Sequence, residues 1–177
     1  KNLKQAQIVS KKIDNADIIY VGGGNTLKLM TLLRKYKVDV MLKNAYLKNK
    51  VLCGISAGAI CWCEFGNSDS RSFTSGSNQL IKVKGLGLIN ILMCPHYNSE
   101  KNRQNDLPRM MKNTYKIPAI AVDDGAALVI NGDKYKIITS MANAQARKCF
   151  WKKGEYFTQI LEKDKYQDIE FLYKKCF

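Results

Sequence analysis

The sequence predicts an α/β fold, a three-layer sandwich in which a mostly parallel sheet lies between helices. A short apolar segment at residues 17–21 ends at three consecutive glycines and is followed by a helical pattern. The same order recurs at residues 50–54, where an apolar segment ends at Gly54 and an alanine-rich helix begins. Apolar strands that alternate with helices are typical of parallel sheets, because both faces of such a sheet are usually covered.

Helices and strands alternate through the first two thirds of the chain. Asn25 is a suitable N-cap for a helix that ends near Tyr36. Helical spacing and caps predict helices at residues 3–13, 25–36, 38–48 and 100–115, with a further one that begins at Ala57. Short β-branched and apolar runs predict strands at residues 17–21, 50–54, 89–94 and 118–122. Residues 66–78 are rich in Ser, Gly and Asn and are expected to form a loop.

Closely spaced strand patterns dominate the last third of the chain and predict hairpins. These strands are expected at residues 127–130, 134–139, 146–151 and 156–161, and a final helix at residues 166–175. No internal repeat, low-complexity tract or linker interrupts the sequence, so residues 1–177 are predicted to form a single domain.

The composition is that of an ordinary globular protein, with 46% hydrophobic and 25% charged residues. No apolar run reaches the ~18 residues that a membrane helix needs, so no membrane partner is expected. The six cysteines include no CxxC pair, and Cys61-x-Cys63 with the single histidine is a weak metal signal. We therefore expect free thiols, a cytoplasmic location, and neither a metal nor a cofactor.

The net charge of +14 requires nucleic-acid binding to be considered. The lysines are spread along the whole chain, however, and no arginine-rich block or recognised nucleic-acid motif is present. This distribution indicates a solvated surface, and nucleic acid is not the expected partner. A positive surface would instead favour acidic small-molecule substrates.

The segment Gly54-Ile55-Ser56-Ala57-Gly58 matches G-x-S-x-G at a predicted strand-to-helix junction. A sharp turn at this point exposes the serine hydroxyl, and the flanking glycines remove side chains that would clash. Ser56 is therefore predicted to be the nucleophile of a serine hydrolase, with the backbone N–H of Ala57 as an oxyanion donor. The alternative is a Gly/Ser turn that only connects two elements.

A serine needs a base to act as a nucleophile near neutral pH, and His96 is the only histidine of the chain. It follows the strand predicted at residues 89–94 and so lies at the carboxyl edge of the sheet, as Ser56 does. His96 is therefore the predicted general base. A histidine without a catalytic role is the alternative.

Two carboxylates compete for the role of orienting the imidazole. Asp124 follows the strand predicted at residues 118–122, at the same edge of the sheet, whereas Asp69 lies in the predicted loop after the nucleophile helix. Either could instead be an ordinary turn or capping residue. Asp124 is preferred, and Asp69 remains open.

The Gly22-Gly23-Gly24-Asn25 turn ends another strand at this edge. It lacks the G-x-G-x-x-G spacing and the P-loop lysine, so nucleotide binding is disfavoured. One of its glycine N–H groups is a candidate for the second oxyanion donor, and a plain turn is the alternative. The order Ser, His, acid differs from that of α/β-hydrolases, whose acid precedes a late histidine.

Five motifs occur in order over about residues 15 to 130: Gly22-Gly23-Gly24-Asn25-Thr26, Gly54-x-Ser56-Ala57-Gly58-Ala59 with Cys61-Trp62, Ser68-Asp69-Ser70, Cys94-Pro95-His96-Tyr97 and Asp123-Asp124-Gly125-x-Ala127-Leu128. Together they resemble the peptidase E family of serine peptidases, the α-aspartyl dipeptidases. The resemblance implies a class I glutamine amidotransferase-like fold. It also implies that the chain starts part-way through the family's domain, without its first strand and helix.

The resemblance assigns roles to the same residues. Ser56 is the implied nucleophile and His96 the base, with an oxyanion hole from Ala57 and from Gly23 or Gly24. The implied acid is Asp124 or Asp69, while Asn25 and Arg103 are the implied substrate-binding residues. Arg103 follows His96 at a shorter spacing than in peptidase E itself.

The resulting prediction is a cytoplasmic serine peptidase that cleaves dipeptides or short peptides with N-terminal Asp through an acyl-enzyme. An amidase, or a catalytically silent binding member of the same fold, is the alternative. The expected partner is a small peptide substrate, and a homodimer is compatible with the sequence.

Overall fold

The computed structural model describes residues 2–112 and 117–174. The longer helices are α1 (Asn2–Asn15), α2 (Thr26–Lys35), α3 (Val38–Leu47) and α6 (Lys101–Lys112). Single helical turns form α4 (Ala57–Ile60), α5 (Ser72–Ser75) and α7 (Glu170–Tyr173). None of the helices in the described ranges combines the length and the apolar character that a bilayer crossing requires.

The strands form three sheets. The first six strands are β1 (Ile18–Val21), β2 (Val51–Gly54), β3 (Cys63–Ser68), β4 (Ile81–Lys84), β5 (Ile89–Cys94) and β6 (Ala119–Val122). The remaining strands are β7 (Ala126–Asn131), β8 (Lys134–Thr139), β9 (Ala146–Lys152), β10 (Glu155–Ile160) and β11 (Gln167–Asp168). The sheets have the orders β1-β2, β10-β9-β6-β5-β3-β4 and β11-β8-β7.

The central strands are parallel and the antiparallel strands lie outside them. β1 pairs with β2 in parallel, as β3 does with β5 and β5 with β6. β4 is added at one edge of the six-stranded sheet, and the β9–β10 hairpin at the other, in antiparallel orientation. The carboxyl ends of β5 and β6 therefore lie side by side, as do those of β1 and β2.

Three apolar clusters hold the layers together. One side of the β1–β2 pair packs on α1, α2 and α3, in a cluster that includes Met30, Leu42 and Trp62. α6 packs through Leu107 and Met111 against one face of the six-stranded sheet. The opposite face of that sheet is covered by the β7-β8-β11 sheet and α7.

The sequence-based elements agree with the structure within one residue for most central strands. The predicted loop at residues 66–78 is wrong at its start, since β3 extends to Ser68, and α5 forms within it. β4 was not predicted. The final helix shortens to α7, preceded by β11, and residues 113–115 and 175 of the two predicted helices lie outside the described residues.

The prediction that the strands are covered on both faces fails for the β1–β2 pair. Ile18, Tyr20 and Val51 are 63%, 64% and 55% exposed. Side chains alternate between the faces of a strand, and within the described ranges the helices cover only the face that carries Ile19 and Leu52.

Candidate active site

Ser56 lies on a sharp turn between β2 and α4. Its backbone has φ 55° and ψ −116°, a conformation that L residues rarely adopt and that costs roughly 1–3 kcal/mol. Close backbone packing enforces the turn. A Cβ added to Gly58 would lie 1.9 Å from the carbonyl oxygen of Val21, and one added to Gly54 would lie 2.6 Å from the same atom. The two glycines of the motif are therefore required by the contact between this turn and β1.

The glycine-rich turn after β1 lies directly beside Ser56. Parallel pairing places Val21 opposite Gly54, so the two strands end at the same level. A Cβ added to Gly23 would lie 3.3 Å from Cβ of Ser56. In the described part of the chain, no backbone hydrogen bond uses the Ala57 N–H. The Ala57 N–H thus has no described backbone acceptor, and the backbone of Gly23 lies beside the Ser56 side chain.

His96 contacts Asp124 at the carboxyl ends of β5 and β6. The distance from His96 Nδ1 to Asp124 Oδ1 is 2.5 Å, and the two side chains are 22% and 43% exposed. Since an ionised carboxylate only accepts hydrogen bonds, Nδ1 carries the proton that is donated to Asp124. In a ring that carries only this proton, Nε2 is the nitrogen that can accept one. This is the tautomer that a serine nucleophile needs from its base.

The Asp124 carboxylate is held from its other side as well. Ser99 Oγ donates a hydrogen bond of 2.5 Å to Asp124 Oδ2, and the Asp124 backbone N–H donates one of 2.8 Å to Asn98 Oδ1. The Ser99 hydrogen bond, followed by the hydrogen bond and charge of His96, holds the pKa of Asp124 below its ordinary value despite partial burial. The acid is therefore ionised near neutral pH.

Asp123, the neighbour of Asp124, has a structural partner instead. It is buried, and its Oδ1 accepts a hydrogen bond of 2.8 Å from Arg147 Nη1. Its Oδ2 accepts one of 3.0 Å from the backbone N–H of Gln145. These contacts fix the turn after β6 to the start of β9, and they explain why the second aspartate of the pair reaches His96.

The structure does not bring the Asp69 carboxylate to His96 by a hydrogen bond. Among the described contacts, Asp69 takes part only through its backbone carbonyl, which accepts from Ser72 N–H at 2.8 Å. The hydroxyls on either side of it are buried. Ser68 Oγ lies 2.9 Å from Thr26 Oγ1 and 2.8 Å from Ser70 Oγ.

This hydroxyl cluster joins the end of β3 to the start of α2, a contact that sequence reasoning missed. Ser70 Oγ accepts from Leu27 N–H at 2.9 Å, and Asn25 Nδ2 donates to the Ser70 carbonyl at 3.2 Å. Asn25 Oδ1 also accepts from Lys28 N–H at 2.9 Å as the N-cap of α2. The side chain of Asn25 thus fixes the glycine-rich turn. The Ser68-Asp69-Ser70 motif was the signal for this contact, through its serines.

Arg103 lies on α6 and is buried, with 1% of its side chain exposed. Its Nε donates to Glu100 at 2.8 Å, and its Nη1 donates to the carbonyl and the side-chain oxygen of Asn67 at 2.6 and 3.1 Å. The guanidinium thereby joins α6 to the end of β3.

The residues given a catalytic role do not all touch one another. Within residues 2–112 and 117–174, no hydrogen bond joins Ser56 Oγ to the His96 ring. Catalytic hydrogen bonds are often long in the absence of substrate. The same ranges contain no group of three or more His, Cys, Asp or Glu that could hold a metal ion.

The fold and this geometry define an α/β protein with a serine on a sharp turn at the end of β2, in the two-stranded sheet. Its histidine–aspartate pair lies at the carboxyl ends of β5 and β6, in the six-stranded sheet, so the expectation that Ser56 and His96 share one sheet edge is wrong. The sequence model of peptidase family S51 matches residues 1–138. The chain belongs to peptidase family S51. The resemblance to peptidase E and the α/β fold class with a mostly parallel central sheet are both confirmed.

Individual relatives support this assignment. Over 131 residues the chain is 40% identical to the uncharacterized peptidase YgaJ of Bacillus subtilis, covering 73% of this chain and 54% of that protein. Over 148 residues it is 26% identical to peptidase E of Shewanella denitrificans, covering 77% and 60%. The chain therefore spans little more than half the length of these relatives.

One solved structure supports the fold. It is the crystal structure of a peptidase from an acI-B1 Actinobacterium, at 20% sequence identity and a TM-score of 0.60. The likeness covers 93% of this chain and 65% of that one.

Proposed function

We propose that this protein is a serine peptidase that hydrolyses dipeptides or short peptides with N-terminal Asp. The observation that carries the proposal is the backbone of Ser56, held at φ 55° and ψ −116° beside Gly23. In a turn that only connects two elements, this strained conformation of a non-glycine residue would bring no benefit. In a hydrolase it exposes the hydroxyl of the nucleophile at the end of the strand.

In the proposed first step, Ser56 Oγ attacks the peptide carbonyl carbon while His96 Nε2 accepts the hydroxyl proton. The carbonyl oxygen becomes an oxyanion and accepts hydrogen bonds from the N–H groups of Ala57 and of Gly23 or Gly24. The C–N bond then breaks, and His96 returns the proton to the leaving amine. Water repeats the sequence on the acyl-enzyme and releases the acid and free Ser56.

Asp124 orients the imidazole in this scheme and stabilises the imidazolium that forms. The 2.5 Å contact to Nδ1 and the lowered pKa of the carboxyl support this role, because the acid stays ionised while the ring gains its proton. Asp69 is the less favoured candidate, since its carboxylate has no described contact with the ring.

Substrate preference is proposed from charge and from the resemblance to α-aspartyl dipeptidases. A net charge of +14 attracts small anionic peptides over distances up to about the Debye length, near 8 Å at physiological salt. Asn25 and Arg103 contribute indirectly in this proposal. Asn25 fixes the glycine-rich turn, and Arg103 fixes the end of β3.

The experiment is a hydrolysis assay on an Asp-X dipeptide with the wild type and the Ser56→Ala variant. We expect turnover to be lost in Ser56→Ala and retained in the control Ser72→Ala, which removes an exposed serine hydroxyl from α5. Equal turnover in wild type and Ser56→Ala would contradict the proposal.

A catalytically silent binding protein is the second candidate. It is favoured by one observation, that no hydrogen bond joins Ser56 Oγ to the imidazole in the described part of the chain. Such a protein would bind the same peptide without hydrolysing it. Peptide binding by calorimetry, together with the absence of turnover in the wild type, would support this candidate over the peptidase.

A further inference from the structure

We propose that Ser99 is a positioning residue whose hydroxyl holds the Asp124 carboxylate against His96, with Asn98 fixing the Asp124 backbone. The inference rests on the proposed function, because it assigns a role within the same site. Neither residue belongs to the nucleophile, the base or the acid. Both lie in the short segment between His96 and α6.

The geometry places one partner on each oxygen of the carboxylate. His96 Nδ1 lies 2.5 Å from Oδ1, and Ser99 Oγ lies 2.5 Å from Oδ2. The single hydroxyl hydrogen of Ser99 can serve one acceptor, and the only other one described is the His96 carbonyl at 3.5 Å. The shorter contact, to a charged acceptor, is the stronger one. Ser99 therefore donates to Asp124.

Asn98 completes this arrangement through the backbone. Its Oδ1 accepts a hydrogen bond of 2.8 Å from the Asp124 N–H. The segment that follows His96 therefore forms two hydrogen bonds with Asp124, one to its carboxylate and one to its backbone. These bonds connect the end of β5 to the end of β6, so we infer that they keep His96 and Asp124 in a fixed relative position.

The Asp124 carboxylate depends on the Ser99 hydrogen bond because the rest of its side chain is exposed to solvent. Its side chain is 43% exposed, and the next residue is Gly125, with φ 79°. Water competes for an exposed carboxylate, and a side chain without fixed partners samples several rotamers. The Ser99 hydrogen bond is also the largest cause of the lowered pKa of Asp124.

A helix-capping role for Ser99 is not supported by the contacts. α6 begins at Lys101, so Glu100 occupies the position before the first helical residue. In the residues that the structure describes, Ser99 Oγ contacts the His96 carbonyl and Asp124, and no N–H of α6. The serine hydroxyl faces the proposed site.

The first test detects the hydrogen bond between His96 Nδ1 and Asp124 by NMR, in the absence of substrate. Because His96 is the only histidine, a ¹⁵N-histidine-labelled protein gives one imidazole Nδ1–H signal, free of overlap. We expect a low-field signal in the wild type, loss of it in Asp124→Asn, marked broadening in Ser99→Ala, and recovery in Ser99→Thr. Ser99 is exposed, so these variants should fold, and thermal unfolding checks this.

The second test follows the Asp124 carboxyl ¹³C signal, which Asp124→Asn identifies by removing it. Loss of the Ser99 donor destabilises the carboxylate, so the pKa of Asp124 should rise toward its ordinary value in Ser99→Ala and return in Ser99→Thr. In the dipeptide assay, kcat should fall about tenfold in Ser99→Ala with KM nearly unchanged.

The outcomes separate this inference from the proposed function. A Ser99→Ala protein with the wild-type imidazole signal and the wild-type Asp124 titration would overturn the role of Ser99. If both signals change as expected while the wild type hydrolyses no peptide, the positioning role stands and the proposed peptidase function fails.

Discussion

At the scale of single residues, the two candidate acids differ in what surrounds them. Asp124 has His96 and Ser99 on its two oxygens, whereas the Asp69 side chain has no described hydrogen bond. The sequence favoured Asp124 because it follows a strand at the correct edge. It could not show that Asp123 is bound by Arg147, since that partner lies 24 residues further along the chain.

The first prediction concerns these acids. Asp124→Asn should lower kcat by roughly 10²–10⁴-fold, because an amide in place of the carboxylate stabilises the wrong tautomer of His96. Asp69→Asn, the matched control, should stay within about threefold of the wild type. Steady-state kinetics on an Asp-X dipeptide measures both. A larger loss in Asp69→Asn than in Asp124→Asn would reverse the assignment.

At the scale of elements, the nucleophile turn depends on how closely α4 approaches β1. The second prediction is that Gly58→Ala destabilises the protein by more than about 2 kcal/mol, because the new Cβ would lie 1.9 Å from the Val21 carbonyl oxygen, which already accepts a hydrogen bond from the Ile55 N–H. Gly22→Ala is the control, since a Cβ at that position meets no atom within 4 Å.

Urea unfolding followed by fluorescence measures this difference. Equal midpoints for Gly58→Ala and Gly22→Ala would show that the turn relaxes more easily than its packing implies. The sequence motif indicates both glycines of the elbow. The partner that makes Gly58 necessary, the Val21 carbonyl, becomes visible only in three dimensions.

The third prediction concerns the contact between α6 and β3. Arg103→Met should lower the free energy of unfolding by roughly 2–4 kcal/mol, because it leaves the buried Asn67 side chain without its donor and Glu100 without its cation. Lys101→Met on the same helix is the control, since Lys101 is exposed and takes part in no described ion pair. A small effect at both positions would contradict a structural role for Arg103.

The same contact explains why the sequence of β3 indicates a loop at residues 66–68, although these residues end a strand. Asn67 and Ser68 are fully buried, yet polar residues in a Ser/Gly/Asn-rich stretch indicate a turn. Their partners are Thr26, Arg103 and Asp106, which are distant in sequence. By contrast, β5 and β8 were predicted with their observed bounds, because their apolar or alternating patterns depend only on neighbouring residues.

At the scale of the whole molecule, the layers follow from the alternation of apolar strands and helices, which the sequence shows clearly. The division of the strands into three sheets does not follow from it. Pairing depends on contacts between distant segments, such as β6 with β9. A local pattern does not encode such contacts.

The fourth prediction uses the burial of the thiols. Burial raises the pKa of Cys61 to about 12 and that of Cys149 to about 11, and it raises the pKa values of Cys63 and Cys94 as well. Since the thiolate is the reactive form, these thiols should be inert in the native protein. In Cys176→Ser, a thiol reagent should therefore react rapidly with one equivalent, Cys53, which is partly exposed.

Absorbance of the released reagent measures the count before and after unfolding in guanidinium. The four protected thiols should react only in the unfolded protein. Two or more rapid equivalents in native Cys176→Ser would mean that the layers around these cysteines open easily.

The most direct test of the central claim, that Ser56 is an activated nucleophile, is labelling of the intact protein with a fluorophosphonate probe. We expect one covalent adduct by mass spectrometry, located by peptide mapping on Ser56, absent in Ser56→Ala and strongly reduced in His96→Ala. An unlabelled wild type, or an adduct on another residue, would contradict the account.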